Sequence, residues 1–260
     1  MRSILTSADR KPGLDARIET ALSLVRANDG HLTVLVDTPV ARYVSMDPMG
    51  GNYVASDAMK QALADDDQRA KEIEERLSRE GVPFDVVRSE AEPIDALAEL
   101  ARLSDLVVLS KSGGLAGELA LVTRTPVLAL GDDKPLAVPP AKVCVAWDGG
   151  DEAALALRTA APMLAQSEQV EIVTVTEKAG GFPATDACRY LSRHGVKAEL
   201  QELERRGSAA ETLAVAVARL GAELVVMGAF GHSRVREYIF GGVTRTFLED
   251  AEGPALFLAH

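Results

Sequence analysis

Residues 213–227 read LAVAVARLGAELVVM, and residues 96–109 read ALAELARLSDLVVL. Both stretches begin with an Ala/Leu-rich segment of helical composition and end with an acidic residue followed by a short apolar run. Short apolar runs that follow a helix in this way are typical of buried parallel strands. The two stretches therefore predict the same helix–strand unit at two places, which indicates an internal repeat.

The repeat extends over almost the whole sequence. In each copy the helix–strand unit is preceded by a short strand, a helix and a second strand, and it is followed by a final strand headed by a proline. The matching segments are 4–6, 16–27, 32–36 and 125–130 in the first copy and 143–147, 152–164, 170–175 and 253–258 in the second. Strands that alternate with helices favour right-handed crossovers and parallel sheets with helices on both faces. We therefore expect an α/β fold with two tandem open parallel five-stranded sheets.

Two further segments mark the limits of the copies and a difference between them. Segment 132–140 is charged and rich in proline, which predicts a link between domains at 1–131 and 141–260. The first copy also has an additional segment, 38–60, with a Gly/Met-rich part. We interpret that segment as a loop over the first domain or as a tolerated insertion.

Composition and charge narrow the function classes. Apolar residues make up 47% of the chain and charged residues 26%, which is ordinary for a soluble globular protein. The formal net charge of −11 argues against nucleic acid as a partner, because proteins that bind nucleic acid usually display a basic surface. The sequence shows neither a signal peptide nor an apolar run of the roughly 18 residues that cross a bilayer. We therefore expect a cytoplasmic protein without nucleic-acid or membrane partners.

The chain has only two cysteines, Cys144 and Cys188. Cys144 lies in an apolar run that predicts a buried strand. Two cysteines in these settings provide neither a disulfide framework nor a four-ligand zinc site, so we expect no metal site of this kind.

The two copies differ most after the strand of the helix–strand unit. The connection to the final strand spans residues 110–125 in the first copy and 228–253 in the second, which is 26 residues against 16. The longer connection contains Gly228, Gly231 and Gly241, separated by two and nine residues. It runs from the carboxyl end of a predicted strand, where open parallel sheets bind ligands, to a predicted helix whose N–H groups attract anions, so it suits phosphate. The spacing alone also fits glycines that merely end a strand and start a helix.

This connection resembles the nucleotide loop of the universal stress protein family, whose signature is G-x2-G-x9-G-[S/T]. The resemblance is carried by residues 225–245, is strong over 141–260 and is weaker over 1–131. It implies five parallel strands per domain, in the Rossmann-like fold of the adenine nucleotide alpha hydrolases, and often a tandem pair of domains. It also implies a role in the stress response and binding of an adenine nucleotide, ATP or else ADP or AMP, with Mg²⁺ held only through the phosphates.

By position, the resemblance implies a set of nucleotide-binding residues in the second copy. The phosphates would be held by the loop glycines and the residues beside them, whereas adenine and ribose would lie near the ends of the first two strands. The set is Ala146, Asp148, Val175, Met227, Gly228, Gly231, Gly241, Gly242, Val243 and Thr244. The Asp148 carboxylate would accept a hydrogen bond from adenine or ribose, and Val175 would face the adenine. Met227 ends an apolar run, so core packing is the preferred interpretation of its side chain.

Two departures from the family pattern affect binding. Gly242 stands where the family usually has Ser or Thr, so a hydroxyl donor to phosphate is missing, at a cost of about 1.5 to 3 kcal/mol. After Leu109 the first copy reads SKSGGLAGE and has no glycine at the later position. We therefore expect one nucleotide site, in the second copy, and a degenerate first copy.

The final strands predict how the two copies assemble. Residues 127–130 and 255–258 are apolar and follow prolines, which suits edge strands, yet an exposed apolar edge favours pairing with another strand. Domains of the family that the chain resembles dimerise through such a strand. We therefore expect residues 127–129 to pair antiparallel with residues 256–258 in a pseudo-dimer within one chain, an arrangement that is compatible with a further homodimer of whole chains.

The sequence favours binding over catalysis. His232 lies in the glycine-rich connection near Arg234 and Arg236 and could stabilise charge in phosphoryl chemistry, but we interpret it as a solvent-facing loop residue. No nucleophile with an adjacent base and no carboxylate cluster for a metal is evident in the sequence. We therefore expect a nucleotide-binding regulatory protein and not an enzyme. The alternatives are an interaction scaffold that binds no nucleotide and, less favoured, slow ATP hydrolysis.

Overall fold

The computed structural model describes residues 1–9, 12–46, 52–176, 182–230 and 242–260. In both halves of the chain, strands and helices alternate. The strands are β1 (Ser3–Ser7), β2 (His31–Asp37), β3 (Val44–Met46), β4 (Asn52–Val54), β5 (Phe84–Ser89), β6 (Leu106–Ser110), β7 (Val127–Leu130), β8 (Lys142–Ala146), β9 (Gln169–Thr176), β10 (Ala198–Glu204), β11 (Leu224–Gly228) and β12 (Ala255–Ala259). The α-helices are α1 (Leu14–Ala27), α2 (Ser56–Leu77), α3 (Pro93–Ala101), α4 (Leu115–Val122), α5 (Asp151–Leu164), α6 (Ala184–Arg193), α7 (Ala209–Leu220) and α8 (Gly242–Glu249). Within the described ranges, none of the helices combines the length and the apolar composition that a membrane crossing requires.

Ten of the strands form one continuous sheet. Their order is β10-β9-β8-β11-β12-β7-β6-β1-β2-β5, so each half of the sheet comes from one half of the chain and repeats the same strand order. All neighbours are parallel except β12 and β7, which are antiparallel. The predicted α/β fold with two tandem five-stranded parallel units is confirmed. The division into domains at 1–131 and 141–260 stays a prediction.

The junction between the two units is the predicted pairing of the final strands. Leu256 lies opposite Ala129, and Phe257 lies opposite Leu128. Both strands are buried along their whole length. Strands that would be exposed apolar edges of separate sheets thus lie in the middle of the common sheet, and the outer positions fall to β5 and β10, whose residues are mostly half-buried or exposed.

Helices cover both faces of the sheet, which explains why its central strands are apolar on both sides. Buried side chains of α1, α2, α5 and α6 form the core on one face. Buried side chains of α3, α4, α7 and α8 form the core on the other face. The helices after β1 and β8, α1 and α5, therefore lie on one face of the sheet, and the helices after β6 and β11, α4 and α8, lie on the other. In each unit a crevice opens between the two loops that lead into these helices.

The additional segment of the first copy is more ordered than the predicted loop. A 3₁₀ helix at Val40–Tyr43 leads into β3, which pairs antiparallel with β4 in a small separate hairpin. A hydrogen bond from the N–H of Ala55 to the carbonyl of Tyr43 closes this hairpin (2.9 Å). Part of the Gly/Met-rich stretch, residues 47–51, lies outside the described residues.

The junction of β7 and β12 generates a stability prediction. Phe257→Asp is expected to lower the free energy of unfolding by more than about 3 kcal/mol, because it removes a fully buried ring and places a carboxylate in an apolar core. Amide exchange in β7 and β12 is expected to accelerate more than exchange in β1 or β8. The control is Val215→Asp, at a side chain that is 71% exposed on α7, which should change the free energy by no more than about 0.5 kcal/mol. Equal effects of the two substitutions in denaturant titrations would contradict the account.

Candidate functional site

The candidate site lies at the carboxyl ends of β8 and β11, which are neighbours in the second half of the sheet. Their last paired residues are Ala146 and Met227. From β8 the chain crosses through α5 to β9 on one side, and from β11 it crosses through α8 to β12 on the other. A crevice at such a reversal of strand order is the usual ligand site of an open α/β sheet.

The loop after β8 is fixed by hydrogen bonds and presents Asp148 at the surface. The indole Nε1 of the buried Trp147 donates to the carbonyl of Phe182 (2.9 Å), and the N–H of Phe182 donates to the carbonyl of Gly149 (3.1 Å). Asp148 Oδ1 accepts a hydrogen bond from the N–H of Gly150 (2.9 Å). Asp148 is exposed, and this hydrogen bond holds its carboxylate at the start of α5.

Gly228 ends β11 and packs against the first turn of α5. A Cβ atom at this position would lie 2.6 Å from the backbone nitrogen of Ala153 and 2.8 Å from the backbone carbon of Glu152. Those distances leave no room for any side chain. Packing against α5 is therefore sufficient to explain a glycine at position 228. Its predicted contact with phosphate stays a prediction.

The two predicted apolar residues of the site differ in burial. Met227 is buried in the core beneath the crevice, which agrees with the interpretation of its side chain as core packing. Val175 lies one residue before the end of β9, beside Leu203 of β10, and is half-buried. Ala146, at the end of β8, is also half-buried. Val175 and Ala146 thus offer partly accessible apolar surface at the edge of the sheet where an aromatic base would need it.

The far side of the crevice is the start of α8. Gly242 is its first residue and is exposed, and none of the described residues has an atom within 4 Å of the position that a Cβ would take. Val243 is half-buried, and Thr244 is buried against the core. The predicted residues Gly231 and Gly241 lie outside the described residues, as do His232 and its two neighbouring arginines.

The connection leaves β11 in a strained backbone conformation. Phe230 has a φ of 63°, in the left-handed region that side chains other than glycine rarely adopt, and its ring is buried. Strain of this kind persists only where the surrounding structure enforces it, and it is concentrated at binding sites. The position of Phe230 directly before the glycine-rich connection fits such a site, although its sequence gave no sign of it.

The first half of the sheet has a crevice at the equivalent place. The N–H of Ala8 donates to the carbonyl of Leu35 (2.7 Å) in the first half, just as the N–H of Trp147 donates to the carbonyl of Val173 (2.9 Å) in the second. Asp9, which follows Ala8, therefore corresponds to Asp148, which follows Trp147. The last residue of β6, Ser110, likewise corresponds to the last residue of β11, Gly228.

A buried arginine fills the first crevice. Arg17 of α1 is only 1% exposed, and it donates to the carboxylate of Asp9 (2.5 Å), to the hydroxyl of Ser110 (2.5 Å) and to the carbonyl of Pro12 (3.2 Å). Ser110 stands at the end of β6, where the second half has Gly228. The side chains of the first half thus bind one another in the space that a ligand would need.

The first crevice is also electrostatically unsuited to phosphate. Asp37 is two residues beyond Leu35, and thus corresponds to Val175, which lies two residues beyond Val173. Burial and the nearby carboxylates of Asp9 and Asp66 raise the pKa of Asp37. An anion placed there would meet these carboxylates, and the guanidinium of Arg17 is already paired with Asp9, so the first crevice is a poor site for phosphate.

Two residues that matter for the sites were missed at the level of sequence. Arg17 appears in the sequence as one more charged residue of an amphipathic helix, and only the fold shows that it points into the crevice. Trp147 could have been noticed, because the only tryptophan of the chain immediately precedes Asp148.

Metal-binding chemistry gains no support from the described part of the chain. Within it, no three His, Cys, Asp or Glu side chains are grouped so that they could hold a metal ion. Cys144 is fully buried, and burial together with the charge of Glu171 raises the pKa of its thiol to about 12. The thiol therefore behaves as a core side chain.

Comparisons with known proteins relate residues 141–258 to one family and the fold of the whole chain to solved structures. The model of the universal stress protein family matches residues 141–258. The whole chain is similar to a universal stress protein of Archaeoglobus fulgidus, with a TM-score of 0.71, 13% identity and coverage of 99% of this chain and 96% of the other. It is also similar to a functionally unknown protein of Pseudomonas aeruginosa, with a TM-score of 0.64, 15% identity and coverage of 100% and 92%. A comparison with curated proteins gives no match.

The two kinds of likeness carry different weight. At identities of 13% and 15%, the solved structures show that the fold is shared over the full length of the chain. The family model addresses the sequence itself, and it covers the half that contains Asp148 and the glycine-rich connection. The family model thus identifies residues 141–258 as a universal stress protein domain, and the solved structures show a shared fold over the whole chain.

Proposed function

We propose that this protein is a regulatory protein of the stress response that binds one adenine nucleotide, ATP or else ADP or AMP, at the candidate site of its second half. The observation that carries the proposal is the glycine spacing of the segment between the end of β11 and the start of α8, together with Asp148 after the neighbouring strand β8, at the point where the strand order reverses. The cytoplasm is its expected location.

The described ends of the connection support a division of the site into two parts. The start of α8 supplies the N–H groups of its first turn and partial positive charge for phosphates, and Gly242 at this position is exposed. On the other side, Val175 and Ala146 provide apolar surface for adenine, and Asp148 accepts a hydrogen bond from the base or the ribose. Mg²⁺ would be held through the phosphates only.

Binding without catalysis is the simplest function of this arrangement. Its described polar groups are backbone N–H groups and one carboxylate, and none of these is a nucleophile paired with a base. ATP hydrolysis would depend on His232 and its neighbours, which lie outside the described residues.

The alternative is an interaction scaffold that binds no nucleotide. Gly242 in place of the family's Ser or Thr favours it, because one donor to phosphate is lost. Chromatographic analysis of nucleotides released from protein purified without added ligand separates the two functions. A binder should release adenine nucleotide, and a scaffold should release none.

The occupied crevice of the first half predicts the stoichiometry of binding. Titration calorimetry with ATP should give about one nucleotide per chain. Because Trp147 is the only tryptophan and adjoins Asp148, its fluorescence should change with the same midpoint. Two equivalent sites would contradict the assignment of a single site to the second half.

The role of Asp148 can be tested by removing its carboxylate. Asp148→Ala should weaken ATP binding about 10- to 100-fold, since a hydrogen bond to a charged group contributes about 1.5–3 kcal/mol. Asp57→Ala, which removes the same charge from the exposed start of α2, should leave the affinity unchanged. Equal affinities of all three proteins in calorimetry, with unchanged circular dichroism, would remove Asp148 from the site.

The missing hydroxyl at position 242 predicts a gain of affinity. Gly242→Ser should tighten ATP binding about fivefold, because one added hydrogen bond contributes about 1 kcal/mol and the new Cβ meets no atom of the described residues within 4 Å. Gly242→Ala adds the Cβ without the hydroxyl and is the matched control. A serine variant that binds no more tightly than the alanine variant would show that position 242 does not face phosphate.

A further inference from the structure

Lys111 of the first half reaches across the junction into the second half. It follows β6, is only 6% exposed, and its Nζ donates to the carbonyls of Asp250 (2.9 Å) and Gly253 (3.3 Å). Both carbonyls belong to the segment 250–253, which connects α8 to β12. A side chain of the half without a predicted site therefore holds the helix that follows the glycine-rich connection.

The contact with segment 250–253 combines charge, hydrogen bonds and close packing. The carbonyls at the end of a helix carry partial negative charge, so an ammonium group is favourable there. The same segment is also approached by Gly131 of the first half, where a Cβ would lie 2.9 Å from the carbonyl oxygen of Ala251. The segment is thus fixed from the first half at two points.

The ammonium of Lys111 is buried at a cost that only its partners offset. Burial lowers its pKa to about 8, and the carboxylate of Asp250 acts in the opposite direction. A buried ammonium without hydrogen-bond acceptors would be strongly unfavourable, so the two carbonyls are needed where they are.

The contact is one-sided. The N–H of Lys111 donates to the carbonyl of Leu130 (2.8 Å), and the N–H of Ala229 donates to the carbonyl of Ala259 (2.8 Å), so Ala229 is the counterpart of Lys111 in the second half. Its methyl group cannot reach across the junction. Near Ala229 the halves are joined instead by the exposed Arg124 of the first half, which donates to the carbonyl of His260 (3.2 Å).

We infer that Lys111 is a positioning residue for the nucleotide site of the other half: it fixes the carboxyl end of α8, and the amino end of this helix, at Gly242, lies at the proposed phosphate site. This inference rests on the proposed function. The helix has eight residues and is about 12 Å long, so it is short enough to move as a rigid body, and releasing one end displaces the other. The first half thereby contributes to binding without touching the nucleotide.

The experiment compares three full-length variants with the wild type. Lys111→Met removes the donor and keeps most of the side chain's length, Lys111→Arg keeps charge and donors, and Arg124→Met is the matched control at the other contact. Amide exchange of residues 242–253 is measured without nucleotide, and ATP affinity is measured by calorimetry. Circular dichroism checks the fold, and Lys111→Gln replaces Lys111→Met if the latter does not fold.

Lys111→Met should speed exchange in residues 242–253 and weaken ATP binding about three- to tenfold, the effect of losing a charge-assisted contact. Lys111→Arg should keep most of the slow exchange and most of the ATP affinity of the wild type. Arg124→Met should change neither the exchange nor the affinity. Unchanged exchange in Lys111→Met would overturn the contact's role in fixing α8. Faster exchange with unchanged affinity would overturn the positioning role. A wild type that binds no ATP would refute the proposed function and with it the positioning role, while the exchange data would still decide whether Lys111 fixes α8.

Discussion

The antiparallel pairing of β7 with β12 is the constraint on which the rest of the structure depends. It buries two apolar strands that would otherwise be exposed edges, and it turns two five-stranded units into one sheet of ten strands. It also fixes the halves so closely that Gly131 must remain without a side chain and that the Lys111 ammonium can reach segment 250–253. The link between the halves is therefore a continuous hydrogen-bonded sheet with buried strands at the junction.

Within this symmetrical frame, the two crevices have diverged by a few side chains. In the first, a serine at the end of β6 and an aspartate after β1 bind the buried guanidinium of Arg17. In the second, Gly228 takes the place of the serine, and Asp148 faces solvent. A buried charged cluster is costly to dismantle, so the first crevice is closed by its own side chains. Among its described residues, the second crevice lacks both the serine and the buried arginine that occupy the first.

The sequence predicted much of the fold because its strongest signals are local. The alternation of elements follows from periodicity, and the pairing of β7 with β12 follows from apolar strands headed by prolines together with the family resemblance. The hairpin of β3 and β4 was not predicted, because three-residue strands carry little pattern. The site was predicted by spacing and resemblance, and the structure adds the packing role of Gly228. Arg17 and Lys111 could not be recognised, because their partners lie on distant segments that only the folded chain brings to them.

The central claim is that one nucleotide binds between the ends of β8 and β11 and that the first crevice is closed. The most direct test is a crystal structure of the chain grown with saturating ATP. The account predicts density for one nucleotide, with its base beside Val175 and its phosphates at the start of α8, while Arg17 keeps its contacts with Asp9 and Ser110. A nucleotide in the first crevice, or density in neither crevice, would contradict it.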